Sequence, residues 1–145
     1  MSDPASDGGP GPRASSLLLP DGWTPPRGYA NGLVTSGRLI TLAGQIGWNP
    51  VTCAFDAHDF TGQVRQALGN IVTLLRVAGA EPSHLVRLTW FITDRDAYHA
   101  AREPVGAAYR EVIGRQYPPM SVVIVAGLIE PGALVEIEAT AVMPA

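Results

Sequence analysis

Tyr117-Pro-Pro-Met-Ser-Val-Val-Ile-Val-Ala-Gly-Leu-Ile-Glu-Pro-Gly-Ala-Leu-Val-Glu-Ile-Glu-Ala-Thr-Ala-Val-Met143 is the stretch whose pattern decides the fold. Val122 to Ala126 is an almost unbroken apolar run, Glu130-Pro131-Gly132 carries turn chemistry, and Leu134 to Val142 alternates with a period of two. Two strands joined as a β-hairpin are expected. On the second strand Val135, Ile137, Ala139, Ala141 and Met143 share one face, the expected core side. Leu134, Glu136, Glu138, Thr140 and Val142 share the other. The two carboxylates then stand about 7 Å apart on a face that is otherwise largely apolar. Such a pair points to a cleft rather than to core or bulk water.

Working outward, 145 residues that are 46% hydrophobic and 16% charged suffice for one domain with a core and fall short of two. A net charge of −3 without any run of basic residues speaks against nucleic acid as the main partner. Cys53 is the single cysteine, which excludes an intrachain disulfide and fits a reducing compartment. Neither it nor His58, His84 and His99 falls at a metal-ligand spacing, so no metal or other cofactor is expected. Leu17-Leu18-Leu19 is cut short by Pro20, and no other run reaches the length of a membrane span or secretory segment. A soluble, cytoplasmic protein without a membrane partner is the expectation.

Residues 1–15 are rich in Gly, Pro and Ser and cannot repay ordering entropy, which predicts a disordered tail before a single domain over 16–145. Leu17 to Arg27 is expected as an irregular arm against that domain. Leu33-Val34-Thr35, Ser36-Gly37-Arg38 and Leu39 to Ala43 read as strand, tight turn, strand, closed at Gly44 and Gly47, where glycine permits close approach. After a loop over Gly47 to Asp59, Val64, Ala67, Leu68, Ile71, Leu74, Leu75 and Ala78 fall at helical spacing, with Asp59 or Thr61 as N-cap and Gly79 as the stop. Leu85 to Thr93 predicts a strand with Val86, Leu88, Trp90 and Ile92 on one face and Arg87, Thr89, Phe91 and Thr93 on the other. A second helix is expected from about Pro104 to Gly114, with a shorter turn over Tyr98 to Glu103. The order β-β-α-β-α-β-β predicts an α+β fold, a mixed sheet with two helices on one face. The other face, with Phe91, Glu136 and Glu138, is left to be covered by self-association.

Several short motifs recur in a fixed order. They are Gly28-Tyr29; Ala43-Gly44-Gln45-Ile46 with Asn49-Pro50 and Thr52; Gln66-Ala67-Leu68-Gly69-Asn70; Ala78-Gly79-Ala80; Val86-Arg87-Leu88 to Asp94; Tyr117-Pro118; and Val135 to Val142. From about residue 28 to 143 the set resembles the RidA family, also called YjgF. These are small trimeric proteins whose founding members hydrolyse reactive enamines and imines made by pyridoxal-phosphate enzymes. The resemblance implies a chorismate-mutase-like subunit, a homotrimer with clefts at the subunit interfaces, and an enamine/imine deaminase or related hydrolase acting there on a small-molecule substrate. It also implies that Glu138 positions the attacking water and that Tyr29 frames the substrate.

The pattern departs from the family at three places. Met120 stands where deaminating members carry the arginine that clamps the substrate carboxylate, and methionine has no donor. Ala43 replaces a usual Ser or Thr, and Glu103 aligns with a common Asn. If all three line one cleft, the substrate is less anionic, partly apolar, and other than the usual imino acids. Gln45, Trp48, Arg87, Phe91 and Met120 complete the candidate substrate-binding set. Bland alternatives stay open: Glu138 ion-paired to Arg87 or another arginine, Gln45 ordering its turn, and Trp48 packed on its loop. A trimer that binds a small metabolite without turnover is the rival to catalysis.

Overall fold

The computed structural model describes residues 16–145, so the expected tail lies outside the described residues. Four strands form the main sheet in the order β3 (Arg38–Ile46), β6 (Val135–Met143), β4 (Leu85–Ile92) and β5 (Met120–Ile124). β6 runs antiparallel to both neighbours, whereas β4 and β5 are parallel. A parallel pair needs a long crossover. The short helix α2 (Arg95–Ala100) and the longer α3 (Arg102–Val112) supply it.

Helix α1 (Phe60–Val77) starts where Asp59 accepts a hydrogen bond from the Gly62 N–H at 2.9 Å. It ends where Gly79 turns left-handed, at φ 77°, donating to the Arg76 carbonyl while Ala80 donates to Leu75. Val64, Ala67, Leu68, Ile71 and Leu75 are wholly buried against the sheet, whereas Leu74, expected on that stripe, faces outward. Leu88, Trp90 and Ile92 of β4 and Val135, Ile137, Ala139 and Ala141 of β6 complete the core. Each large side chain so buried contributes about 1.5–3 kcal/mol. The face expected for β6 is therefore the face observed. On β4 the register shifts between Leu85 and Arg87, so Leu85 is buried and Val86 only half-buried.

Two expected pairings are not formed. β5 and β6 make no hairpin, because β4 lies between them. Glu130 to Ala133 does turn, with the Ala133 N–H donating to the Glu130 carbonyl at 3.2 Å and Gly132 at φ 89°, but inside a connection that passes from one side of β4 to the other. Likewise β2 (Leu33–Val34) pairs with β1 (Ser16–Leu17), not with β3. Part of the expected arm is thus a strand. An apolar run tells which face is buried but not which neighbour it joins.

No helix among the described residues is long and apolar enough to cross a membrane.

Candidate functional site

Strand register sorts the candidate residues into separate places. Glu138 sits on β6 opposite Thr89, Glu136 opposite Phe91, and Arg87 opposite Thr140. These side chains share the sheet face that no helix among the described residues covers. Glu138 is exposed, Glu136 half-buried, and Leu39 and Val123 of the flanking strands are 67% and 40% exposed. Arg87 pairs with neither glutamate; its Nη2 donates to the Ser121 Oγ at 3.5 Å.

Glu136 and Glu138 differ in freedom. The carboxylate of Glu136 occupies the space where a Cβ on Gly44 would stand. That contact follows from the register shift between Leu42 and Gln45 on β3, which lets the strand swing across β6. Gln45 lies at this bulge and donates from Nε2 to the Ala43 carbonyl at 3.1 Å, so it orders its own strand. Gly47, just beyond, packs against the backbone of Gln63 on α1.

Trp48 packs against Phe55 with ring centroids 6.4 Å apart, and its carbonyl accepts a hydrogen bond from Asn70 at 3.1 Å. Asn70 also donates to Ile46, while buried Gln63 donates to Ala57 and Gly132 and accepts from Leu134. These two amides tie the 47–59 loop and the 130–134 turn to one helix. Their placement seven residues apart on an otherwise apolar stripe is a sequence signal for such a role. Leaving any of the partners unsatisfied costs about 1–3 kcal/mol.

Met120 is elsewhere. It pairs with Leu88, and so lies on the helix side of the sheet, on the side opposite Glu138. With Trp90, Tyr109, Tyr117, Arg102 and Arg110 it lines a pocket of about 180 Å³. Tyr109 and Tyr117 stack at 5.3 Å, and the Tyr109 hydroxyl donates to the Gln116 carbonyl at 2.5 Å. Burial, and then the neighbouring Tyr117, raise the Tyr109 phenol well above its ordinary range. Among the described residues the buried Trp90 Nε1–H has no partner. Tyr29, 44% exposed, lines a larger cavity of about 580 Å³ under Leu17 and Leu18. The two cavities share Gly28 and Tyr117.

The three departures from the family pattern do not meet within one chain. Ala43 lies on β3 and Met120 on β5, the two opposite edges of the sheet, while Glu103 is exposed on α3. A cleft that held them together would need a second copy.

The whole of this arrangement from Trp23 to Met143 matches the family model described as endoribonuclease L-PSP. The chain belongs to that family, the RidA or YjgF proteins. Among its relatives is the 2-iminobutanoate/2-iminopropanoate deaminase of Escherichia coli, 33% identical over 79% of this chain and 86% of that one. Protein DfrA of Myxococcus xanthus is 31% identical over 75% of this chain and 79% of its own. A crystal structure of a Rid-family protein from Yersinia pestis, of unknown function, superposes with a TM-score of 0.78 at 29% identity, covering 89% of this chain and 98% of that one. The α+β fold with its mixed sheet is thus the family's.

Proposed function

We propose that this RidA-family chain hydrolyses a reactive imine or enamine as a homotrimer. Glu138 acts in a cleft where the uncovered sheet face of one copy meets an edge of the next. The observation that carries the proposal is an exposed carboxylate on a sheet face that also exposes Leu39 and Val123. A face of that composition in water favours association, and association would take Glu138 out of bulk solvent without pairing it within its own chain. Relatives named as imine deaminases support the chemistry.

The step needs only water and a base. The Glu138 carboxylate accepts a proton from water as the oxygen attacks the C=N carbon, the new C–O bond moves the π electrons onto nitrogen, and Glu138 passes the proton on to that nitrogen. Collapse of the tetrahedral adduct breaks the C–N bond, forms the carbonyl and releases ammonia. Met120 offers no donor where the deaminating relatives' pattern places a guanidinium. The substrate is therefore one whose carboxylate, if present, is not held beside the reacting carbon at that position. With a net charge of −3 and no basic run, the chain lacks the electrostatic footprint for cleaving RNA that the family's description would suggest.

The test is ammonia release from imines generated in place, comparing short 2-imino acids with imines that carry a larger apolar body. Faster turnover of the second group is expected. Preference for the short 2-imino acids would overturn the role given to Met120, and no release from either group would overturn the hydrolase.

A further inference from the structure

The pocket over Met120 has a feature that the hydrolase proposal leaves unexplained. Its floor is aromatic and apolar, yet Arg102 and Arg110 of α3 both line it. These residues, with Gly106 midway, follow one another at four-residue spacing along one face of the helix. A Cβ on Gly106 would stand 3.2 Å from an Nη of Arg110, so the guanidinium lies back along the helix over the glycine. Among the described residues neither arginine has an acidic partner; the only ion pair is Arg65 with Glu111, on exposed side chains. The Trp90 indole, 4% exposed, lines the same pocket, and among the described residues its buried N–H has no partner. A buried donor without an acceptor costs about 1–3 kcal/mol until something accepts from it.

Guanidiniums without acidic partners beside a lining of Trp90, Tyr109 and Tyr117 are complementary to one chemical class. We infer that this pocket binds a small carboxylate with a flat apolar body. Arg102 and Arg110 hold the carboxylate, replacing from α3 the charge that Met120 cannot supply, and the body lies against Trp90. Arg87 lies on the other face of the sheet, the one that carries Glu138. The inference deepens the hydrolase proposal by naming the substrate's charged group and its place, but its test involves no turnover.

Phenylacetate and its neutral amide are titrated into the full-length protein, following the three tryptophan indole N–H resonances, with Trp90 assigned by Trp90→Phe. Phenylacetate is expected to shift the Trp90 resonance and to bind at least about tenfold more tightly than the amide. In the Arg102→Met/Arg110→Met double variant, where both changes fall on exposed positions, that advantage is expected to vanish while the rest of the spectrum stays unchanged. Equal affinity for the amide, no binding of phenylacetate, or undiminished binding by the double variant would each overturn the inference. A protein that binds phenylacetate but releases no ammonia from any imine would lose the hydrolase and keep this site. The converse result would do the opposite.

Discussion

Gly44 and Gly47 are three residues apart and both lack room for a Cβ, but what fills the space differs. At Gly44 it is the carboxylate end of Glu136, a side chain that can rotate away; at Gly47 it is the backbone of α1 at Gln63, which cannot. Gly47→Ala is therefore expected to lower unfolding free energy in urea by about 1–3 kcal/mol. Gly44→Ala should change stability far less while displacing Glu136. If the two substitutions prove equally destabilising, the distinction between a mobile and a fixed neighbour is wrong. Glycine at these positions was legible as a need for close approach; the identity of the approaching group was not, because it comes from β6 and α1, distant in sequence.

Among the elements, α3 carries the clearest titration. The Tyr109 phenol is held protonated by burial and by Tyr117, so the folded state keeps a proton that the unfolded chain gives up near its ordinary value of 10.0. Stability from this group is complete below pH 10 and falls as pH rises beyond it, since there the native state binds more protons than the unfolded one. The ten basic residues are all arginine, so no lysine obscures this interval. Urea unfolding across the alkaline range should show wild type losing stability above pH 10 and Tyr109→Phe losing distinctly less over the same interval. Parallel curves would remove Tyr109 as the cause. The strands teach a related lesson about legibility. Alternation over Leu134 to Val142 named the buried face of β6 correctly because side-chain direction is a local property. Pairing is not local, so the same stretch suggested a hairpin with β5 when β4 lies between. That one misplaced neighbour had a large consequence for the site. With β5 beside β6, Met120 and Glu138 belong to one cleft; with β5 parallel to β4, Met120 lies opposite Leu88 and its pocket opens among aromatic residues of α3 and the Tyr117 segment.

For the whole molecule, the site proposed for hydrolysis is divided between two faces and two edges of a single sheet, and only association can complete it. Leu39, 67% exposed on edge strand β3, is the simplest handle on that surface. Leu39→Glu should leave the fold of one chain intact, since little is buried there, and should reduce the mass in solution from that of a trimer to that of a monomer. A monomeric wild type, or a variant that remains trimeric, would contradict assembly through this face. That Glu138 stands on the face opposite the core was readable from period-two alternation alone. Arg102, Arg110 and Trp90 were not readable as a group, since only the folded chain brings residues of α3 and β4 to one pocket.

The most direct measurement is ammonia release by Glu138→Gln on the best imine substrate, made on material whose mass in solution matches wild type. A general base is worth about 10²–10⁴ in rate, so kcat/KM should fall by at least about a hundredfold with the assembly intact. A variant as fast as wild type would show that Glu138 does not carry the chemistry.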